Sequence, residues 1–235
     1  MKWHFLFSRF SKQPPATLTD ELRREMRACF DKEASAVSTT IEPWRVSHGE
    51  FLFGHLGDLN GKRVLDAGCG KGRFGRFLSE RNPEASIWGV DISRKMLRHV
   101  PASMNVQLAW MTELPFVDSA FDAAYAIESL EHAVEIEIAI RELCRVVKPG
   151  GRIVIIDKNA EQIGRFRMPY WERWFRRSDL EDTLRRYATS VSSQFLPHIT
   201  PQDPLFIGWT AEKAEAKRSD VTRQRPDGAM EGIRS

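Results

Sequence analysis

The sequence contains few cysteines, and their positions exclude two classes of protein. Cys29, Cys69 and Cys144 lie far apart in a chain of 235 residues, and no CxxC pair occurs. Neither a disulfide framework nor a structural zinc site can be built from this spacing. We therefore expect a reducing, cytoplasmic environment and no bound metal.

Long apolar runs are also missing. The sequence has no stretch of 18 or more apolar residues, so we predict that it has no membrane-spanning helix. The first twelve residues, MKWHFLFSRFSK, contain a short apolar run that polar residues interrupt, and no small-residue cleavage site follows. This pattern argues against a signal peptide.

The sequence also lacks a large excess of either sign of charge. The 35 basic and 32 acidic residues leave a formal net charge of +3, which is too small to indicate a nucleic-acid partner. Hydrophobic residues make up 42% and charged residues 29%, which excludes a wholly disordered chain. The length suits one domain with room for an additional helical layer.

The first part of the chain has helical periodicity. Apolar residues recur every four positions from Leu18 to Phe30, and Thr17 with Asp20 resembles a capping box. Ser47 with Glu50 forms a second box before another apolar stripe. These patterns predict an N-terminal helical cap over residues 1–57.

Strand and helix patterns then alternate. The predicted strands cover residues 63–67, 86–90, 105–109, 121–127 and 152–156, and residues 190–196 and 205–210 form a closing antiparallel pair. This order predicts an α/β fold with a doubly wound, mostly parallel, Rossmann-like sheet of seven strands over residues 58–210. Residues 211–235 contain no aromatic side chain and predict a disordered tail.

The segment 165–177, RFRMPYWERWFRR, contains five arginines and five aromatic residues. A helix beginning at Pro169 would place Tyr170, Trp171, Trp174 and Phe175 on one stripe. Two interpretations stay open. Residues 159–187 form a helical cover with the aromatic side chains in the core, or the stripe holds an amphiphilic or anionic substrate or contacts a membrane surface.

A glycine-rich loop joins the first predicted strand to the next helix. Gly70, Gly72 and Gly75 spell G-x-G-x-x-G, the dinucleotide-binding fingerprint, and the two competing cofactors are NAD(P) and S-adenosylmethionine. Asp66 precedes the first glycine of the loop by two residues. A carboxylate there would repel the pyrophosphate of NAD(P) but attract the ammonium and sulfonium groups of S-adenosylmethionine. Asp91, at the end of the second strand, could accept ribose hydroxyls from either cofactor.

Four motifs occur in a familiar order: VLDAGCGKGRFG, GVDIS, ELPFVDSAFDAAYAIESLEHA and AIRELCRVVKPGGRIVIID. Together they resemble class I S-adenosylmethionine-dependent methyltransferases. Within that class they are most similar to the small-molecule branch that includes ubiquinone/menaquinone-biosynthesis and sterol methyltransferases. The resemblance is strong over residues 62–157 and weak as far as residue 210.

The resemblance implies S-adenosylmethionine as the cofactor and assigns it a set of binding residues: Asp66, Gly68, Gly70, Gly72, Asp91, Ile92, Met111 and Thr112. Asp66 and Gly68 would face the methionine ammonium, and the loop from Gly70 to Gly72 would face the carboxylate. Asp91 would bind the ribose. Ile92, Met111 and Thr112 would surround the adenine. Trp110 stands where the family often has an aspartate for the adenine amine.

Candidate catalytic residues follow the fourth predicted strand. His132 suits proton transfer near neutral pH, and Glu128 directly follows the strand. The alternative is that Glu131 and His132 only orient the next helix. Asp157 and Lys158, after the fifth strand, either line the pocket or lie in a solvated loop.

The sequence therefore predicts a methyltransferase acting on a small, apolar or amphiphilic, lipid-like acceptor. The alternatives are an RNA or other nucleic-acid methyltransferase and a non-catalytic S-adenosylmethionine-binding protein. We expect no nucleic-acid partner. A peripheral membrane contact and the oligomeric state stay open.

Overall fold

The computed structural model describes residues 14–200 and 202–215. Its centre is a seven-stranded sheet with the strand order β3-β2-β1-β4-β5-β7-β6. The strands are β1 (Arg63–Ala67), β2 (Ser86–Asp91), β3 (Asn105–Leu108), β4 (Phe121–Ile127), β5 (Val147–Lys158), β6 (Ala188–Leu196) and β7 (Phe206–Lys213).

Helices lie before, between and after these strands. They are α1 (Asp20–Glu33), α2 (Val46–Leu56), α3 (Arg73–Arg81), α4 (Arg94–Leu97), α5 (Ile136–Val146) and α6 (Arg177–Arg185). Short 3-10 turns cover Pro43–Arg45, Leu130–His132 and Ala160–Gln162.

Strand direction confirms the predicted fold class. The strands β1 to β5 pair in parallel, and β7 pairs antiparallel with both β5 and β6. The order reverses between β1 and β4, so the loops at their carboxyl ends diverge and leave a crevice. Separate apolar clusters cover the two faces of the sheet, as a parallel sheet requires.

The residues before β1 form a helical layer that packs on the sheet. Phe51 of α2 lies so close to Gly208 of β7 that a Cβ at Gly208 would come within 2.6 Å of its ring. Two predicted helix starts shift. Thr19, rather than Thr17, caps α1 by accepting the Leu22 N–H at 3.2 Å. The second helix starts at Val46, without a side-chain cap from Ser47.

The predicted helix from Pro169 is wrong. The Pro169 carbonyl accepts the Glu172 N–H in a turn, and Phe175 then forms a parallel bridge with Asn159. Because side chains alternate along extended backbone, Trp174 packs with one apolar cluster of the sheet and Phe175 with the other. The predicted single stripe is therefore divided, and of the helical cover over 159–187 only α6 and one short 3-10 turn are helical.

The predicted end of the domain also moves. The strand β7 continues to Lys213, so the predicted tail cannot begin at residue 211. Residues 216–235 and the first 13 residues lie outside the described part of the chain, as do the predictions that fall on them. Within the described ranges, every helix is too short or too polar to cross a bilayer.

Candidate functional site

A cavity of about 790 Å³ opens at the carboxyl ends of the parallel strands. Its lining comes from α1, the glycine loop after β1, the ends of β2, β4 and β5, the segment 165–174 and the loop before β7. Residues of both the N-terminal layer and the segment after β5 therefore enclose the crevice that the strand order creates.

Left-handed backbone conformation explains three of the loop glycines, Gly68, Gly70 and Gly72. Gly68 has a φ of 80°, and a Cβ there would lie 2.4 Å from Ser129 Cβ. Gly70 has a φ of 53° and open space where its Cβ would be. Gly72 instead packs against the segment 100–104 and does not line the cavity. The loop can thus approach a ligand at Gly68 and Gly70, but not at Gly72.

The Gly70 and Gly72 amides are both paired within the chain. The Gly70 N–H donates to Asp91 Oδ2 at 2.9 Å, and the Gly72 N–H donates to the Cys69 carbonyl at 2.8 Å. Lys71 lies between them, lines the cavity and is only 8% exposed. Its ammonium makes no ion pair or hydrogen bond with any residue in the described ranges. The Lys71 side chain thus offers a positive charge in the loop that the resemblance assigns to the cofactor carboxylate.

Asp66 ends in the cavity beneath this loop. It is buried, and its Oδ2 has no hydrogen-bond partner among the described residues. Burial raises the pKa of the Asp66 carboxyl to about 7. A buried, unpartnered carboxylate oxygen favours a cationic ligand, so Asp66 fits the ammonium of S-adenosylmethionine.

Asp91 closes the other side of the loop. Its Oδ1 accepts the Ser93 N–H at 2.8 Å and its Oδ2 accepts the Gly70 N–H. Burial raises the pKa of Asp91 to about 6, although these backbone donors oppose the rise. Each oxygen keeps a lone pair for a further donor, which suits two ribose hydroxyls.

Beyond Asp91 the lining becomes apolar. Ile92, Trp110 and Met111 contribute to it, while Thr112 is buried outside it. Trp110 carries the Arg23 guanidinium 4.8 Å from its ring centroid, a cation–π contact that fixes the indole from α1. The structure therefore brings Ile92 and Met111, but not Thr112, to the cavity wall beyond Asp91.

Glu128 lies at the cavity, held by a residue that the sequence did not indicate. Arg45 Nε donates to Glu128 Oε1 at 2.5 Å, and its second nitrogen donates to Oε2 at 2.7 Å. Burial opposes ionisation, yet the Arg45 guanidinium outweighs it and holds the Glu128 pKa well below its usual range. Both Glu128 oxygens already accept guanidinium hydrogen bonds, so this carboxylate is not free to act as a general base.

His132 is the better candidate base. It lines the cavity, with Phe30 edge-on at 5.1 Å between ring centroids. Burial lowers the pKa of His132 to about 4, so the ring is neutral at physiological pH. Its Nδ1 has no hydrogen-bond partner among the described residues and lies 3.9 Å from Glu172 Oε2. The neutral ring can accept a proton; burial weakens its basicity, and the Glu172 carboxylate partly offsets this effect.

Three charged side chains support His132. Lys158, from the end of β5, donates to Glu131 and also to Glu172 Oε1 at 3.2 Å. The indole N–H of Trp174 donates to the same Glu172 oxygen at 2.6 Å. Lys158 thus lines the pocket, the first of its two predicted alternatives. Glu172 had no sequence signal beyond its position among aromatic residues.

Glu131, His132 and Glu172 present ligand-type atoms within 4.8 Å of one another, a spacing that suits a metal ion. The Lys158 ammonium, however, already bonds to both carboxylates. In the described part of the chain, the Lys158 ammonium thus takes the place that a metal ion would have between these carboxylates. The expected absence of a bound metal stays a prediction.

Residues 65–155 match the protein family described as "Methyltransferase domain". The O-methyltransferase cnsE of Penicillium expansum is 36% identical over 111 residues, which cover 43% of this chain and 40% of the relative. A malonyl-[acyl-carrier protein] O-methyltransferase of Erwinia pyrifoliae is 33% identical over 137 residues, which cover 56% and 50%. The chain therefore spans about half the length of these curated relatives or less.

Solved structures agree on the fold. Geranyl diphosphate C-methyltransferase from Streptomyces coelicolor, in complex with S-adenosyl-L-homocysteine, superposes with a TM-score of 0.61 at 17% identity. The alignment covers 72% of this chain and 76% of that one. These comparisons confirm the resemblance of the central domain to class I methyltransferases, whose cofactor is S-adenosylmethionine.

Proposed function

We propose, from the methyltransferase domain at residues 65–155, that this chain methylates a small, apolar or amphiphilic acceptor with S-adenosylmethionine. One observation carries the proposal. One cavity is lined by Asp66 and the glycine loop, by the neutral His132 and by apolar side chains.

Cofactor binding is assigned to the loop and the strand ends. Asp66 would hold the ammonium, Lys71 the carboxylate and Asp91 the ribose hydroxyls, with Ile92 and Met111 at the adenine. The unpartnered Asp66 oxygen and the place of all five residues in the cavity lining support this order. When bound, S-adenosylmethionine supplies an electrophilic methyl group whose leaving group is a neutral thioether.

Proton removal is assigned to His132. The imidazole would take the proton of an acceptor hydroxyl and become an imidazolium. The Glu172 carboxylate, 3.9 Å from Nδ1, would stabilise that charge. Glu131 lies 3.4 Å from Nε2 and would orient the ring. Glu128, ion-paired with Arg45, would help to position the N-terminal layer without exchanging a proton.

The acceptor class follows from the lining beyond His132. Aromatic side chains there include Phe30, Trp44, Phe166, Trp174 and Phe206. Burying apolar ligand surface against them contributes about 25 cal/mol per Å². Both curated relatives described above are named as O-methyltransferases, which supports a hydroxyl or carboxyl oxygen as the methylated atom.

The mouth of the cavity supports a peripheral membrane contact. Phe166 and Ile199 line the cavity and are 45% and 72% exposed, and Ile163 nearby in sequence is 60% exposed. Exposed apolar side chains at an entrance favour entry of a lipid-like acceptor from a bilayer surface. Flotation with anionic vesicles tests this contact, and Ile199→Asp should reduce the bound fraction.

Transfer of a radiolabelled methyl group tests the whole proposal. The enzyme is incubated with labelled S-adenosylmethionine and fractions of cell extract, and we expect label in the lipid or small-molecule fraction. His132→Ala should reduce transfer by about 10²- to 10⁴-fold while S-adenosylhomocysteine binding is unchanged. Label in RNA, or cofactor binding without any transfer, would favour one of the two alternative functions.

A further inference from the structure

One end of the cavity has an excess of carboxyl groups. Glu33 of α1 and Glu172 of the segment after β5 lie there with Glu131, and all three line the cavity. Glu131 is 1% exposed, and its Oε2 has no hydrogen-bond partner among the described residues. Glu33 Oε1 is likewise buried and without such a partner. We call these three residues the acid end.

Positive charge at the acid end is insufficient to balance it. Lys158 is the one cation paired with Glu131 and Glu172 in the described ranges, and no salt bridge there involves Glu33. Among the other cations that line the cavity, Arg45, Arg73 and Arg165 are paired with carboxylates outside the acid end: Glu42, Glu128 and Asp203. Lys71 belongs to the glycine loop, and Arg167 has an interaction of its own. His132 is neutral.

The pKa values of these carboxyl groups agree with an excess of negative charge at the acid end. Burial, and then the neighbouring Glu172, raises the pKa of Glu33 to about 7. Burial also raises the pKa of Glu131 well above its usual range. The acid end therefore retains protons that a bound cation would displace.

We propose that the acceptor carries an ammonium group that binds at the acid end, against Glu33, Glu131 and Glu172. The inference rests on the proposed methyltransferase function and specifies its substrate class. An ammonium brings up to three N–H donors, and Glu33 and Glu131 each present an oxygen that lacks a donor. The apolar remainder of the acceptor would extend along Phe30 and Trp174, whose rings also favour a nearby cation.

The same geometry disfavours an acceptor whose carboxylate lies at this end. Such a group would meet three carboxyls and one already paired ammonium, and close like charges repel strongly in a buried site. A divalent metal ion is disfavoured as well, because Lys158 would have to leave both of its carboxylate partners before the ion could bind.

Chain-matched ligands test the proposal. Calorimetry at pH 8, with saturating S-adenosylhomocysteine, measures the binding of decylammonium, decanol and decanoate to the full chain. We expect decylammonium to bind at least about tenfold more tightly than the other two, since a charged pair strengthens a hydrogen bond. Glu33→Gln should weaken decylammonium binding about tenfold and leave decanol binding unchanged.

Glu21→Gln is the matched control, since it removes the same charge from an exposed position of α1. It should bind all three ligands as the parent does. Equal or tighter binding of decanoate, no detectable binding of decylammonium, or an unchanged Glu33→Gln variant would overturn the inference. So would thermal stabilisation by MgCl₂ alone that Glu33→Gln removes. Failure to bind S-adenosylhomocysteine at all would instead contradict the proposed function.

Discussion

Arg45 and Glu128 form a bidentate ion pair that joins the N-terminal layer to the carboxyl end of β4. Each side chain is 12% exposed, and Glu128 adopts a φ of 50°, which is uncommon for a residue with a Cβ. The pair holds the residue that follows β4 in a strained conformation at the edge of the cavity. It couples the position of the N-terminal layer to the site.

Breaking this pair from one side should destabilise the fold. Arg45→Met leaves a buried carboxylate without its guanidinium, which costs about 3–5 kcal/mol in the free energy of unfolding. The double variant Arg45→Met, Glu128→Met should recover most of this loss. Urea denaturation of the parent, the two single variants Arg45→Met and Glu128→Met, and the double variant measures the effect. An Arg45→Met variant as stable as the parent would contradict the account.

The pH dependence of this stabilisation has a definite sign. The folded-state pKa of Glu128 is depressed, so its contribution is present above the unfolded pKa of about 4.3 and is lost as pH falls below it. The stability difference between the parent and Arg45→Met should therefore shrink under acid conditions.

Much of the fold could be predicted, because short apolar strands alternate with helical stripes from residue 63 onward. The conformation of the segment 169–175 could not be predicted. Aromatic residues at positions 170, 171, 174 and 175 can be buried by a helix or by extended backbone, and their spacing does not distinguish the two. Asp66 and Asp91 could be located because the ends of neighbouring parallel strands meet at one edge. Glu33 could not, because only the packing of α1 brings it to the cavity.

The raised pKa of Asp66 predicts that cofactor binding releases a proton. Its pKa of about 7 in the free protein means that it is partly protonated at neutral pH, and the cofactor ammonium favours the ionised form. Binding should release a proton, and affinity should rise between about pH 6 and pH 8, by at most tenfold per pH unit. Calorimetry in buffers of different ionisation enthalpy measures the release.

Asp66→Asn provides the comparison for this prediction. It should bind S-adenosylhomocysteine more weakly, and its affinity should change little over the same pH range. An equally steep profile in this variant would assign the proton to another group.

Lys71 should contribute to cofactor affinity through its ammonium. We expect Lys71→Met to weaken S-adenosylhomocysteine binding about 10- to 100-fold, the scale for losing a hydrogen bond to a charged group. Lys95→Met, at an exposed position of α4, should have no effect. If both variants bind equally well, the cofactor carboxylate must be held by backbone amides instead.

Trp174 and Phe175 are adjacent, yet they should affect different properties. Trp174 lines the cavity and donates its indole N–H to Glu172, whereas Phe175 packs against Trp209 with 6.2 Å between ring centroids, away from the cavity. Trp174→Phe keeps an aromatic ring but removes the donor, so the KM for the acceptor should rise about tenfold while cofactor affinity is unchanged. Phe175→Leu should lower the melting temperature by a few degrees, since about 1 kcal/mol shifts it by 2–4 °C in a chain of this size, and should leave KM unchanged. Steady-state kinetics and thermal melts on both variants measure the two effects. A Trp174→Phe variant that loses stability with an unchanged KM would show that this tryptophan only packs.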